Sequence, residues 1–230
     1  MDRKRHLLGR LLGHPFDGDE HIYSDDESAM VKIINNRIYS HKVLRVNYTT
    51  YDLRRAQDSI NPHTRPDIML LSHEDEDADN ETDSHPYWYA RVIGIYHAEV
   101  CHVGLNAQSS GVQELEFLWV RWFGRDLDCD SGWNTRCLHR IGFVADDPID
   151  PSDPIGASGA FTFIDPAEVI RGVHLIPAFA HGKTSELLEP SIARPQKDNN
   201  EDWQYFYINM YGLPLLFRVL SDILAKVCGP

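Results

Sequence analysis

One stretch of the chain concentrates the residues able to do chemistry. Between His85 and Val144 the sequence reads H-P-Y-W-Y-A-R-V-I-G-I-Y-H, then F-L-W-V-R-W-F-G-R-D and L-H-R-I-G-F-V, and it holds all but one of the five tryptophans. Ring quadrupoles hold a methylated ammonium where hydrogen bonds cannot. Trp88, Tyr89, Tyr96, Trp119, Trp122 and Trp133 are therefore candidates for an aromatic cage, with Trp88, Tyr96, Trp119 and Trp122 expected to line the recognition surface. The competing role for the same rings is to fill a small β core. Arginines stand beside nearly every ring, and they offer a second chemistry. Arg91, Arg121, Arg125 and Arg140 could hold phosphates through paired hydrogen bonds while the rings stack bases. Arginine at alternate strand positions is also the ordinary outer face of a half-buried sheet, and Asp126, Asp128 and Asp130 offset part of the charge.

Other chemistries have weaker signatures. Cys101, His102, Cys129, Cys137 and His139 are zinc-type ligands, but they lack the two tight ligand pairs of a structural site, so no metal or cofactor is expected. Asp52, Asp58 and Asp67 could form a metal-dependent nuclease centre, against the plainer role of turn-stabilising carboxylates. Gly156-Ala157-Ser158-Gly159 is not a G-x-S-x-G elbow. The chain reads as non-catalytic.

These residues need elements to position them. Val43–Asp52 has strand alternation, with Leu44, Val46, Tyr48 and Thr50 on one face. Asp67–Ser72 reads as a short buried strand after the turn Ser59–Pro66. Tyr87–His102 reads as one long strand or a bent pair of strands, with a bulge at Gly94 and with Trp88, Ala90, Val92, Gly94 and Tyr96 sharing a face. Leu115–Gly124 and Leu138–Val144 return antiparallel to it, and Trp203–Met210 alternates again. One slip of register would exchange the faces of Trp119 and Trp122. Asp165-Pro166 has the cap and proline of a helix start, which predicts a short helix over Pro166–Arg171. Leu215–Cys228 has helical spacing.

Composition narrows the partner. The net charge is −13, but His73–Ser84 alone carries seven acids and no base; without it 28 acids face 22 bases. Nonspecific DNA binding by the whole chain is disfavoured, because phosphate attraction needs a positive surface. Four cysteines without C-x-x-C spacing point to reduced thiols, and no apolar run is long enough for a membrane span.

The segments V-N-Y-T-T-Y-D-L-R-R-A-Q-D-S-I-N-P-H-T-R-P-D-I-M-L-L-S, H-P-Y-W-Y-A-R-V-I-G-I-Y-H, F-L-W-V-R-W-F-G-R-D, L-H-R-I-G-F-V, D-P-A-E-V-I-R-G-V-H-L-I-P-A-F-A-H-G and E-D-W-Q-Y-F-Y-I-N-M resemble a multicopy group of mushroom-forming fungi. Members of that group accompany Plavaka or Kyakuja-Dileera-Zisupton-type DNA transposons, and the resemblance runs from about Arg37 to Met210. It implies a terminal accessory region and brings no activity with it. The leader and the Leu-rich tail depart from the group's pattern. The pairing of W-Y-A-R-V-I-G-I-Y with F-L-W-V-R-W-F is also similar to bromo-adjacent homology and Tudor-like barrels, which would imply a chromatin-facing reader.

The expected fold is mainly β: a small antiparallel, bromo-adjacent-homology-like barrel with a short capping helix and a C-terminal helix. Residues 1–36 are expected to be a disordered leader with a short frayed helix in Met1–Gly13, and 37–180 the barrel-like domain with its acidic loop at 73–84. A linker or wrap follows at 181–202, then a terminal strand and amphipathic helix over 203–230. The expected function is a nuclear (otherwise cytoplasmic) interaction module for a histone tail or other basic peptide. Alternatives are a DNA-contacting accessory domain and a functionless transposon remnant.

Overall fold

Two long strands dominate the fold because β-branched and aromatic residues run through Tyr87–His102 and Gln113–Arg125 almost without a breaker. The structure, a computed structural model, describes residues 3–14, 23–49, 54–72, 85–104, 111–131, 135–145, 159–195 and 198–209. Two helices, α1 (Arg3–Leu12) and α2 (Asp25–Ala29), precede the strands β1 (Val31–Ile33), β2 (Tyr39–His41), β3 (Leu44–Thr49), β4 (Arg55–Ile60) and β5 (Asp67–Leu71). The long pair is β6 (Tyr87–His102) and β7 (Gln113–Arg125), followed by β8 (Arg140–Phe143), β9 (Phe161–Ile164), β10 (Val169–Gly172) and β11 (Leu175–Pro177). Short strands β12 (Lys183–Thr184), β13 (Asp202–Trp203) and β14 (Phe206–Ile208) close the described chain.

The main sheet is antiparallel throughout and runs β10-β5-β6-β7-β8-β14-β11. Strands β1 and β2 add to the far half of β6, and β9 adds to the middle of β7. The protein is mainly β, and this sheet curls into a half-barrel. Hairpin β3–β4 lies apart from it in sheet terms, and Leu44, Val46 and Ile60 from the hairpin pack on the core of Ile68, Ala90, Val92, Leu118 and Val120.

The bulge decides which residues meet. Val92 pairs with Val120, but the next pair is Gly94 with Trp119, so β6 holds one extra residue there. An extra residue exchanges the two faces of a strand. One face of the β6–β7 ladder therefore carries Tyr89 with Phe123, Arg91 with Arg121, Gly94 with Trp119, and Tyr96 with Phe117. The other carries Ala90 with Trp122, Val92 with Val120, Ile95 with Leu118, and His97 with Glu116. The expected grouping of Trp88 with Tyr96 on one face is corrected accordingly. Gly94 is also where the Tyr96 ring lies: a Cβ there would stand 2.4 Å from ring atoms. Gly94→Ala should therefore displace the ring and cost about 1–3 kcal/mol, as overpacking does. A urea titration of the variant checks this.

Three further expectations change. Residues 1–36, expected as a disordered leader, supply α1, α2 and β1, and Leu7, Leu8 and Leu11 are buried against Val31, Val100, Phe117 and Phe163. The short helix expected over Pro166–Arg171 is present only in its first half, as a single 3-10 turn over Pro166–Glu168. Asp165 does cap, its side chain accepting from the Ala167 N–H, but the turn ends at Glu168 and the chain enters β10 to pair with β5. β-branched Val169 and Ile170 favour that strand. Strand β4 was not anticipated from its polar sequence R-A-Q-D-S-I; its alternation shows only once it pairs with β3. The acidic run 73–84 and the terminal stretch 215–228 lie outside the described residues.

Candidate functional site

The four aromatic residues expected to share a surface occupy two. Trp88 and Trp122 meet edge to face on the hairpin side, with ring centroids 6.0 Å apart and planes at 78°. Trp122 packs on the core there and donates its indole N–H to Thr162 Oγ1 at 2.8 Å. On the opposite face Tyr96 stacks on Phe117 and Trp119 leans on Phe161, at 5.6 and 5.9 Å. No single cage contains all four. Tyr89 is buried, and Trp133 lies outside the described residues.

The arginines turn inward. Arg91 holds Asp67 with two hydrogen bonds of 2.6 and 3.0 Å. Arg121 is 1% exposed and donates to Asp202 Oδ2 at 2.9 Å, an oxygen that also accepts from Arg194 at 2.8 and 3.0 Å. Its guanidinium lies 3.9 Å above the Phe143 ring. Burial pulls the Arg121 pKa below its ordinary value, while the charge of Asp202 opposes the shift. Arg140 bonds Asp126, reaches His181 Nε2 at 3.0 Å and covers the Tyr205 ring at 4.6 Å. Three of the four arginines proposed for a nucleic-acid face are thus committed to carboxylates of the same chain, and the outer-face reading of Arg91 and Arg121 is corrected with it. Arg125 stands at the rim of the cavity described next.

The other candidate centres do not assemble. Asp58 accepts from Gly172 N–H and Arg171, Asp67 serves Arg91, and Asp52 lies outside the described residues. Among the described residues no three His, Cys, Asp or Glu side chains stand close enough to hold a metal ion. Ser131 Oγ lies 2.8 Å from His139 Nδ1, and the His139 pKa is lowered by burial first and the Arg125 charge second.

A cavity of about 420 Å³ opens where β7 runs out beside β8. Two glycines face each other there, Gly124 and Gly142, and a Cβ at Gly124 would meet only Val144, at 3.6 Å. Phe143, Tyr205 and Leu187 give it apolar walls; Asp126, Asp128 and Glu186 give it carboxylates. Asp126 is bound by Arg140, whereas Asp128 and Glu186 are exposed and, among the described residues, have no cationic partner. Leu127 stands at the rim, 67% exposed. Gly142 is tight, since a Cβ there would come within 2.9 Å of the Gln204 carbonyl oxygen. Gly142→Ala is therefore expected to push Gln204–Tyr205 away and reshape the cavity, with loss of whatever binds there.

Trp88 and Gly124 each lie one residue beyond the Tyr89–Phe123 pair, so the tryptophan pair and the cavity share one end of the ladder. The same end receives the flanks of the acidic run, where Ser72 N–H donates to the Pro86 carbonyl. Asp126 and Asp128 were legible in the sequence as acids near the arginines. Glu186 and Tyr205 were not, because only the fold brings 184–187 and 204–205 to β7.

Fold and site together define a mainly β, curled-sheet protein with an acid-rimmed, aromatic-walled cavity. Comparison with family models, with curated proteins and with solved structures finds no match. Among the described residues no helix is long and apolar enough to cross a membrane.

Proposed function

We propose that the chain is a non-catalytic interaction module that takes a basic segment of a partner protein at this end of the sheet. The observation that carries the reading is the pair of exposed carboxylates, Asp128 and Glu186, without a cationic partner among the described residues, at the mouth of a cavity walled by Phe143 and Tyr205. A cationic side chain entering there gains charge pairing at the rim and apolar contact for its methylene stem. The run 73–84 carries seven acids, and charge of that sign raises the local concentration of a basic partner through long-range attraction. A histone tail is one peptide of this chemistry. A nuclear, chromatin-facing role and descent from a fungal DNA transposon belong to the same proposal, resting on the resemblances in the sequence.

The test uses the full chain and a panel of synthetic lysine- and arginine-rich peptides, methylated and unmethylated, with short duplex DNA alongside. Saturable peptide binding that weakens with salt is expected. The double variant Asp128→Asn, Glu186→Gln should lose about tenfold in affinity, equivalent to about 1.4 kcal/mol. Unchanged binding in that variant, or binding to DNA alone, would sink the reading.

A further inference from the structure

A second cluster sits on the far half of β6, away from the cavity. Strand β2 pairs there with Tyr39 opposite His97 and His41 opposite Ile95. Residues paired or two apart share a face, so Tyr39, His41 and His97 project together. His41 Nε2 lies 2.5 Å from His97 Nδ1, with centroids 4.8 Å apart and planes within 30°. The separation of centroids is close to the nitrogen–nitrogen distance plus two ring radii, so the rings meet head on and the two in-plane nitrogen positions point at each other. Tyr39 stacks on His97 at 4.7 Å and 13°, which fixes the plane of that ring. Glu116 stands opposite His97 on β7, on the same face and exposed.

Two imidazole nitrogens aimed at one point need a shared proton or a shared cation between them. We propose that His41 and His97 form a surface site for a divalent transition ion, with copper(II) held more tightly than zinc. Neutral imidazole is a ligand of choice for both ions, and copper(II) leads the divalent series. Since no third described ligand is within reach as the side chains stand, the protein supplies two nitrogens and water completes the shell. Zinc–nitrogen bonds of about 2.0–2.1 Å in tetrahedral geometry set the two nitrogens roughly 3.3 Å apart. Opening the pair by that amount requires rotation of the exposed His41 side chain away from the half-buried His97 ring that Tyr39 holds in plane, and β2 can keep its register. Glu116 is placed to hydrogen-bond a coordinated water, the outer-shell role that orients such sites.

The experiment is a titration of the full chain with copper(II) and with zinc, followed by calorimetry and, for copper, by electron paramagnetic resonance. One ion per chain with nitrogen couplings in the copper spectrum is expected. His41→Ala and His97→Ala should each weaken that ion by at least roughly 100-fold, since loss of a mere outer-shell partner already costs roughly 10–100-fold. His63→Ala, an exposed histidine elsewhere, should leave it unchanged. Retention of the ion in both variants, or equal loss in all three, overturns the proposal. Peptide binding at the cavity is read separately, so failure of either site leaves the other standing.

Discussion

Asp202→Ala is expected to destabilise the protein by about 3–5 kcal/mol, the cost of leaving buried charge without its partner. One carboxylate oxygen of Asp202 accepts from both Arg121 and Arg194, and all three side chains are under 10% exposed. Two guanidiniums on one carboxylate leave an excess positive charge, and Arg121 Nε is buried without a hydrogen-bond partner. Part of the excess is met by the faces of Phe143 and Phe161 and by the Leu187 and Glu189 carbonyls. The triad thus pins the returning chain at Leu187, Arg194 and Asp202 onto Arg121 of β7. Without Asp202 that chain should peel away, taking Leu187 from the cavity wall. With a urea slope of about 1–3 kcal/mol per molar, the midpoint should fall by more than about 1 M. The informative control is the triple variant Arg121→Met, Asp202→Leu, Arg194→Met, expected to remain near parental stability because apolar side chains of similar volume can replace such a cluster. A cost below about 1 kcal/mol for Asp202→Ala would mean that the triad does not hold the segment.

Arg121 also shows why the site was only partly legible. Its strand neighbours, its β spacing and the bulge at Gly94 follow from local pattern, and the structure places all three as read. What the pattern cannot carry is the second layer. An arginine at an alternating position points to solvent only if that face is open, and here Leu187, Arg194 and Asp202 close over it. The carboxylate that receives it lies 81 residues away, beyond any spacing rule. The bulge had a further effect: recognising it without carrying its parity shift through left Trp88 and Tyr96 on one face, when they lie on two. For the same reason the cavity was not foreseen, since its acids come from 126–128 and 186 and its walls from 143, 187 and 205.

Leu8→Ala is expected to cost about 2–5 kcal/mol, as for other fully buried leucines, although it lies in a segment whose composition reads as a leader. Leu7, Leu8 and Leu11 are at most 4% exposed. Helix α1 is held from its polar side too, with Arg10 bonded to the Glu116 carbonyl and to Asp165 at 2.5 Å. A fragment starting at residue 37 removes this helix and β1 and uncovers Ala98, Val100 and Phe117; it should bind a hydrophobic dye and lose cooperative unfolding. Docking of α1 is also sensitive to acid. The His6 imidazole lies 6.5 and 6.2 Å from the rings of Phe117 and Phe163, and its Nε2 is buried without a partner. Burial first, and the Arg10 charge second, lower its pKa to about 3. In the unfolded chain the same group titrates near its ordinary value of about 6.5. Above that pH both states are neutral and the histidine adds no pH dependence. Between about 6.5 and 3 the unfolded state takes up a proton that the folded state refuses, so stability falls by up to about 1.4 kcal/mol per pH unit. His6→Leu should flatten that part of the profile while leaving stability at pH 8 near the parent's. If thermal midpoints of parent and variant fall in parallel from pH 7 to pH 4, the acid sensitivity lies elsewhere in the protein and His6 is not buried as a neutral ring.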